Sequence, residues 1–137
     1  MGAPVIVIDT NLIAYLHLPG PFSDLAEAAR LKEEWCSPVL WRSEFRNVLA
    51  NHVRRGLLSI SQARERMENA EKLLWGRELT VRSSTVFDCV AKSNRSAYDC
   101  EFVALALDLG LKLVTTDGPI IREFPGTAMH LRDFVGA

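Results

Sequence analysis

Apolar residues follow two rhythms along this chain. Val5 to Ile8 is a short β-branched run, apolar on both faces, as in a central parallel strand buried from two sides. Leu111 to Thr115 reads as a second parallel strand. Trp35-Cys36-Ser37, closed by Pro38, and the stretch from Thr127 to Leu131 read as further short strands. Between them helical spacing dominates. Leu12 to Leu16 opens a short helix, and Ser23 is placed to cap one running to about Glu34. Phe45, Val48, Leu49, His52 and Val53 place a longer helix over Leu40 to Arg55, with Gly56 as its stop. Ser59-Ile60-Ser61-Gln62 has the form of a capping box before the stripe Ala63, Met67, Ala70 and Leu74. Ser83 or Ser84 begins another helix, and Ser96 caps one that runs through Leu109 to Gly110. Strands alternating with helices predict an α/β fold, a mainly parallel central sheet flanked by helices. No repeat, linker or low-complexity stretch divides residues 1–137, so one domain is expected.

Composition narrows the class. A chain of 137 residues that is 48% hydrophobic can bury a real core. No apolar run approaches the ~20 residues of a membrane span, and the N-terminus lacks the basic start of a signal peptide. A cytoplasmic chain that does not enter the membrane is expected. Cys36, Cys89 and Cys100 show no CxxC spacing, so they predict neither a disulfide framework nor a zinc site. The net charge of −1 carries no general basic signature of nucleic-acid binding.

The acids change that picture. In parallel α/β sheets ligands sit at the carboxyl ends of strands, where the connectivity reverses. Asp9 directly follows the first strand, and Asp117 follows the strand ending at Thr115. Glu44 and Asp99 lie near the starts of two predicted helices and can reach the same edge. Each has an ordinary explanation alone. Asp9 fits an N-cap, Asp117 a turn before Gly118, Asp99 a capping-box acid three residues after Ser96, and Glu44 a solvated helix position. Four acids from four separated segments are nevertheless expected at one place. Like charges that close must take up protons or bind cations. Mg²⁺ and Mn²⁺ prefer such oxygen ligands, and two such ions serve phosphodiester hydrolysis without a nucleophilic side chain. Setting these acids aside leaves the rest of the chain net positive.

The ordered set Val-Ile-Asp9-Thr10-Asn11, Ser43-Glu44-Phe-Arg-Asn-Val-Leu49, Ser96-Ala-Tyr98-Asp99-Cys-Glu101-Phe-Val-Ala-Leu-Ala106 and Leu-Val-Thr-Thr116-Asp117 resembles the PIN-domain family over nearly the whole chain. By its small size it looks most like the VapC-type toxins of prokaryotic toxin–antitoxin pairs. The resemblance implies a PIN-like three-layer fold with strand order 3-2-1-4-5, and an endoribonuclease dependent on Mg²⁺ or Mn²⁺. It also implies an RNA substrate, a homodimer and a small antitoxin partner. Asp9, Glu44, Asp99 and Asp117 match the family's acidic positions. Asp9 would be the central metal ligand, and Asp99 and Asp117 would complete the cradle. Glu44 would orient a water or bind a second ion. Thr10 and Thr115 or Thr116 would support metal water or substrate. Glu101 lies two residues beyond Asp99, about 200° around a helix, and is read as an outer or structural group.

Arg42, Arg46, Arg54 and Arg55 share a predicted helix with Glu44, and Arg95 precedes the Asp99 helix. Arg42, Arg46 and Arg95 are candidates for RNA phosphates, against a solvated helix face with local ion pairs. Trp41 is expected to pack rather than stack on a base. His17, His52 and His130 have no zinc-ligand spacing and receive no catalytic role. Met67, Leu73, Leu74 and Trp75 are expected to be mostly core. Three readings compete with the nuclease. A phosphate-accepting signalling domain would want paired acids after its first strand and a lysine near its last, and neither is here. A nuclease for structured DNA would want clamps for which this chain is short. A non-catalytic RNA-binding or scaffold module would not need all four acids.

Overall fold

The computed structural model describes residues 3–136. Strand β1 (Val5–Ile8) leads into helices α1 (Thr10–His17) and α2 (Ser23–Lys32). Then follow β2 (Glu34–Pro38), α3 (Trp41–Arg54), α4 (Ile60–Leu73), β3 (Glu78–Leu79), α5 (Ser83–Ala91) and α6 (Ala97–Leu109). Strand β4 (Leu113–Thr115), α7 (Gly118–Glu123), β5 (Ala128–His130) and α8 (Leu131–Val135) complete the order. The strands form one sheet, β3-β2-β1-β4-β5, with every pairing parallel. This is the expected order.

The pleat of β1 explains the three layers. Alternate side chains leave a strand on opposite faces. Ile6 and Ile8 join Leu12, Trp35, Trp41, Phe45, Leu74 and Leu131 in one core, and Val7 joins Cys36, Cys100, Val103 and Leu113 in the other. Both faces are therefore covered, which is why β1 is apolar throughout. Helix α6 is buried from Phe102 through Ala106, so its sequence carries little amphipathic contrast.

Several boundaries differ from the sequence reading. Ser23 is the first residue of α2 rather than its cap, because its hydroxyl donates back to the Leu18 carbonyl at 3.0 Å. The helix stops at Lys32, and Glu34 begins β2 through its backbone bond to Pro4. Strand β3, which the strand order calls for, carries no readable pattern of its own, since it has only two residues and exists by pairing with Ser37 and Pro38. Helices α7 and α8 also went unread. The first starts with Gly118-Pro119, which reads as a turn, yet proline is tolerated in a first helical turn. The capping box at Ser59 forms both of its bonds with Gln62.

Candidate active site

The chain builds the sheet outward from β1 through β2 to β3, then returns to place β4 on the other side of β1. The crevice beyond the ends of β1 and β4 is the switch point of this topology, where α/β folds bind ligands. A cleft of about 300 Å³ opens there, lined by Asp9, Thr10, Asn11, Glu44, Asn47, Val48, Asp99, Phe102, Asp117 and Ile120. All four acids singled out from the sequence thus meet at one place.

Local structure aims each of them. Asp9 is only 6% exposed and is the N-cap of α1, accepting from the Leu12 amide at 3.4 Å. Asp117 caps α7, accepting from the Ile120 amide at 3.0 Å. Between them stands the fully buried Thr115. Its hydroxyl donates to Asp9 Oδ2 and accepts the Asp117 amide at 3.0 Å, so one group sets the spacing of two acids. Thr10 donates to Glu44 Oε1 at 2.6 Å and ties α1 to α3. Ser96 accepts the Asp99 amide at 3.0 Å, but only half of a capping box forms, which leaves the Asp99 carboxylate in the cleft lining.

Burial and like charge act together here. Asp9 is pushed up to about 6, first by burial and then by the charges of Asp117 and Glu44. The Thr115 and Leu12 bonds pull the other way. Glu44 is raised by burial and by Asp99, and Asp99 by burial and by Asp117. Val48, Phe102 and Ile120 supply apolar wall. Ionised Asp9, Glu44 and Asp99 are therefore costly, and a divalent cation would relieve that cost. The donor set is hard oxygen, as Mg²⁺ and Mn²⁺ prefer. Among the described residues, no group of three His, Cys, Asp or Glu side chains is arranged to hold an ion. The residues fit an ion held by one or two carboxylates with water and substrate phosphate, the usual manner of Mg²⁺.

The other candidates divide. Neither Thr115 nor Thr116 lines the cleft: Thr115 is buried behind it, bonded to Asp9 and to the Asp117 amide, whereas Thr116 Oγ1 is 2.8 Å from the Tyr15 hydroxyl. Glu101 is half-buried outside the lining, and burial and Glu44 raise it. Arg42 is engaged elsewhere. Its guanidinium grips both oxygens of Glu78, at 2.6 and 2.7 Å, and also Glu71. Arg46 is two residues past Glu44, about 200° around the helix, and so leaves the opposite flank of α3. Arg95 Nε donates to Glu123 at 2.6 Å, though its charge still lowers Asp99. Arg42 and Arg95 are thus paired with acids, and Arg46 is exposed on α3 outside the cleft lining.

Trp41 is fully buried and donates to Glu78 at 3.0 Å, as the packing reading expected. Met67, Leu73 and Leu74 join the core, but Trp75 is 80% exposed. His17 is pushed down to about 4, chiefly by burial, and none of the three histidines lines the cleft. The sequence reading missed the amides Asn11 and Asn47. Asn47 had a usable signal, because it sits three residues after Glu44 and so shares its helix face.

Comparisons with known proteins agree with this geometry. The chain is 32% identical over 124 residues to Ribonuclease VapC3 of Pyrobaculum aerophilum, covering 88% of this chain and 95% of that one. Crystal structures of FitAcB from Neisseria gonorrhoeae and PAE2754 from Pyrobaculum aerophilum share the fold, with TM-scores of 0.74 and 0.76 at 19% identity each. The first match covers 92% of this chain and 97% of the other, and the second 99% and 96%. The PIN-domain family model matches residues 6–125, and the chain belongs to the PIN-domain family.

Proposed function

We propose that this chain is an endoribonuclease dependent on Mg²⁺ or Mn²⁺, the toxin of a toxin–antitoxin pair. The observation that carries the reading is the convergence of Asp9, Glu44, Asp99 and Asp117 on one cleft at the sheet's switch point. The likeness to Ribonuclease VapC3 supports RNA as the substrate. The resemblance to VapC-type toxins supports a small antitoxin partner, a homodimer and a cytoplasmic setting. No helix among the described residues is long and apolar enough to cross a membrane.

In this reading Asp9, Asp99 and Asp117 would hold the metal, one or two of them directly and the rest through water. A bound divalent ion supplies positive charge for the phosphate and acidifies water. Thr115 ties the Asp9 carboxylate to the Asp117 backbone and the Ile120 amide holds the Asp117 carboxylate, so neither carboxylate need reorganise during the reaction. Glu44, steadied by Thr10, orients the attacking water and takes its proton, a role suited to a carboxylate that burial raises above its ordinary range. The water oxygen bonds to phosphorus as its proton passes to Glu44, and the P–O bond on the far side breaks, its oxygen leaving with the electron pair and taking a proton from solvent.

The deciding experiment is cleavage of cellular RNA by the purified chain and by Asp9→Asn, with Mg²⁺ or Mn²⁺ and then with EDTA. Cutting that needs both the ion and Asp9 is expected. Full activity in folded Asp9→Asn would sink the assignment. No cutting and no metal binding by the intact protein would favour a non-catalytic RNA-binding or scaffold module of the same fold.

A further inference from the structure

The cleft poses an electrostatic problem for any phosphodiester. It presents four carboxylates, which only accept hydrogen bonds when ionised, and no basic side chain among its lining residues. The arginines that the sequence suggested are held by acids or face away. One guanidinium outside the lining is packed against the residue that follows Asp117. Arg122 is in the short helix α7, which Asp117 caps and Gly118 begins. Its side chain folds back along the helix so that Nη1 lies 2.9 Å from where a Cβ on residue 118 would sit, with Cζ at 3.7 Å. The arginine thus occupies the space that glycine leaves open, one residue from Asp117. Arg122 is exposed, and among the described residues it forms no ion pair with a carboxylate.

We propose that Arg122 is the substrate-positioning arginine of this site, gripping a backbone phosphate of the RNA on the Asp117 side of the cleft, and that Gly118 is required to seat it. This deepens the ribonuclease reading and rests on it. A planar guanidinium presents paired N–H donors that match two phosphate oxygens, which the acids cannot do. The contact brings charge of the right sign to the rim without neutralising the carboxylates.

Three variants test it: Arg122→Ala, Arg122→Lys and Gly118→Ala. Gly118→Ala keeps the arginine but pushes its guanidinium aside, and the yielding atoms are the tip of a flexible chain, so the fold tolerates it. Cleavage of a single-stranded oligoribonucleotide is followed with Mg²⁺ across a range of salt. Arg122→Ala is expected to raise KM about tenfold, the low end for a charge-assisted hydrogen bond, with kcat within about threefold. Arg122→Lys should restore part of the loss, and Gly118→Ala should fall between. Binding is measured separately in an Asp9→Asn background, where the strand stays intact. There Arg122→Ala should weaken affinity about tenfold and make the slope of log affinity against log salt shallower by about one. If the intact enzyme cuts and Arg122→Ala leaves KM, affinity and salt slope unchanged, the inference is overturned while the ribonuclease reading stands. If the intact chain neither cuts nor binds RNA, both are overturned.

Discussion

Replacing Asp9 by Asn should make the protein more stable at neutral pH while abolishing its proposed activity. Burial and neighbouring charge raise the Asp9 carboxyl from about 4 to about 6. A carboxyl raised on folding binds its proton more tightly in the folded than in the unfolded chain. Its stabilising contribution is greatest below pH ~4 and is lost as pH rises through about 6. Above that, the ionised group costs the fold up to about 3 kcal/mol, at ~1.4 kcal/mol for each tenfold change in proton affinity. Asn carries no charge and avoids that cost. It has one oxygen instead of two, however, to serve both the Thr115 hydroxyl and the Leu12 amide, and losing one such bond costs about 1 kcal/mol. The net gain is about 1–2 kcal/mol, a rise in Tm of roughly 3–8 °C for a chain of this size. Thermal melts of both proteins in EDTA, from pH 4 to 8, test this. The difference in Tm should be largest above pH ~7 and shrink, then change sign, toward pH ~4. A difference that does not vary with pH, or an Asn variant less stable at pH 7.5, would refute the desolvation argument. Added Mg²⁺ should then raise the Tm of the parent more than that of the variant.

Three further predictions follow from neighbouring geometry. Thr115→Val removes the hydroxyl shared by Asp9 and Asp117, so cleavage should fall at least tenfold. With that lowering bond gone, the acid limb of the pH–rate profile should move to higher pH. Arg42→Ala strands Glu78 beside Trp41 and should cost about 1–3 kcal/mol in a urea melt, with KM for RNA unchanged. A raised KM would restore the phosphate role. Gly110→Ala meets open space but forces a side chain onto φ +66°, so it should cost about 1 kcal/mol from the backbone alone, without loss of cutting.

Much of this protein is legible in its sequence. The β1 run, apolar on both faces, announced a sheet covered twice, and the strand-end positions of Asp9 and Asp117 pointed to a shared edge. The helix around Leu40 to Arg55 was readable because its apolar stripe faces one core, and Ser96 and Gly110 marked both ends of α6. Those signals are local: periodicity and capping are set within a few residues. What the sequence alone could not settle depended on partners distant along the chain. Strand β3 is an edge that exists only through pairing with Ser37 and Pro38. Thr115 and Thr116 are indistinguishable in sequence, and the fold buries the first, at the end of β4, against Asp9 and leaves the second, just past the strand, with Tyr15. Arg42 looked free until Glu71 and Glu78 came to it from other elements, and Arg122 gained its place against Gly118 only when α7 formed. Charge is written in the sequence, but whether a charge is paired, buried or open to a ligand is decided by what the fold brings within a few ångströms of it.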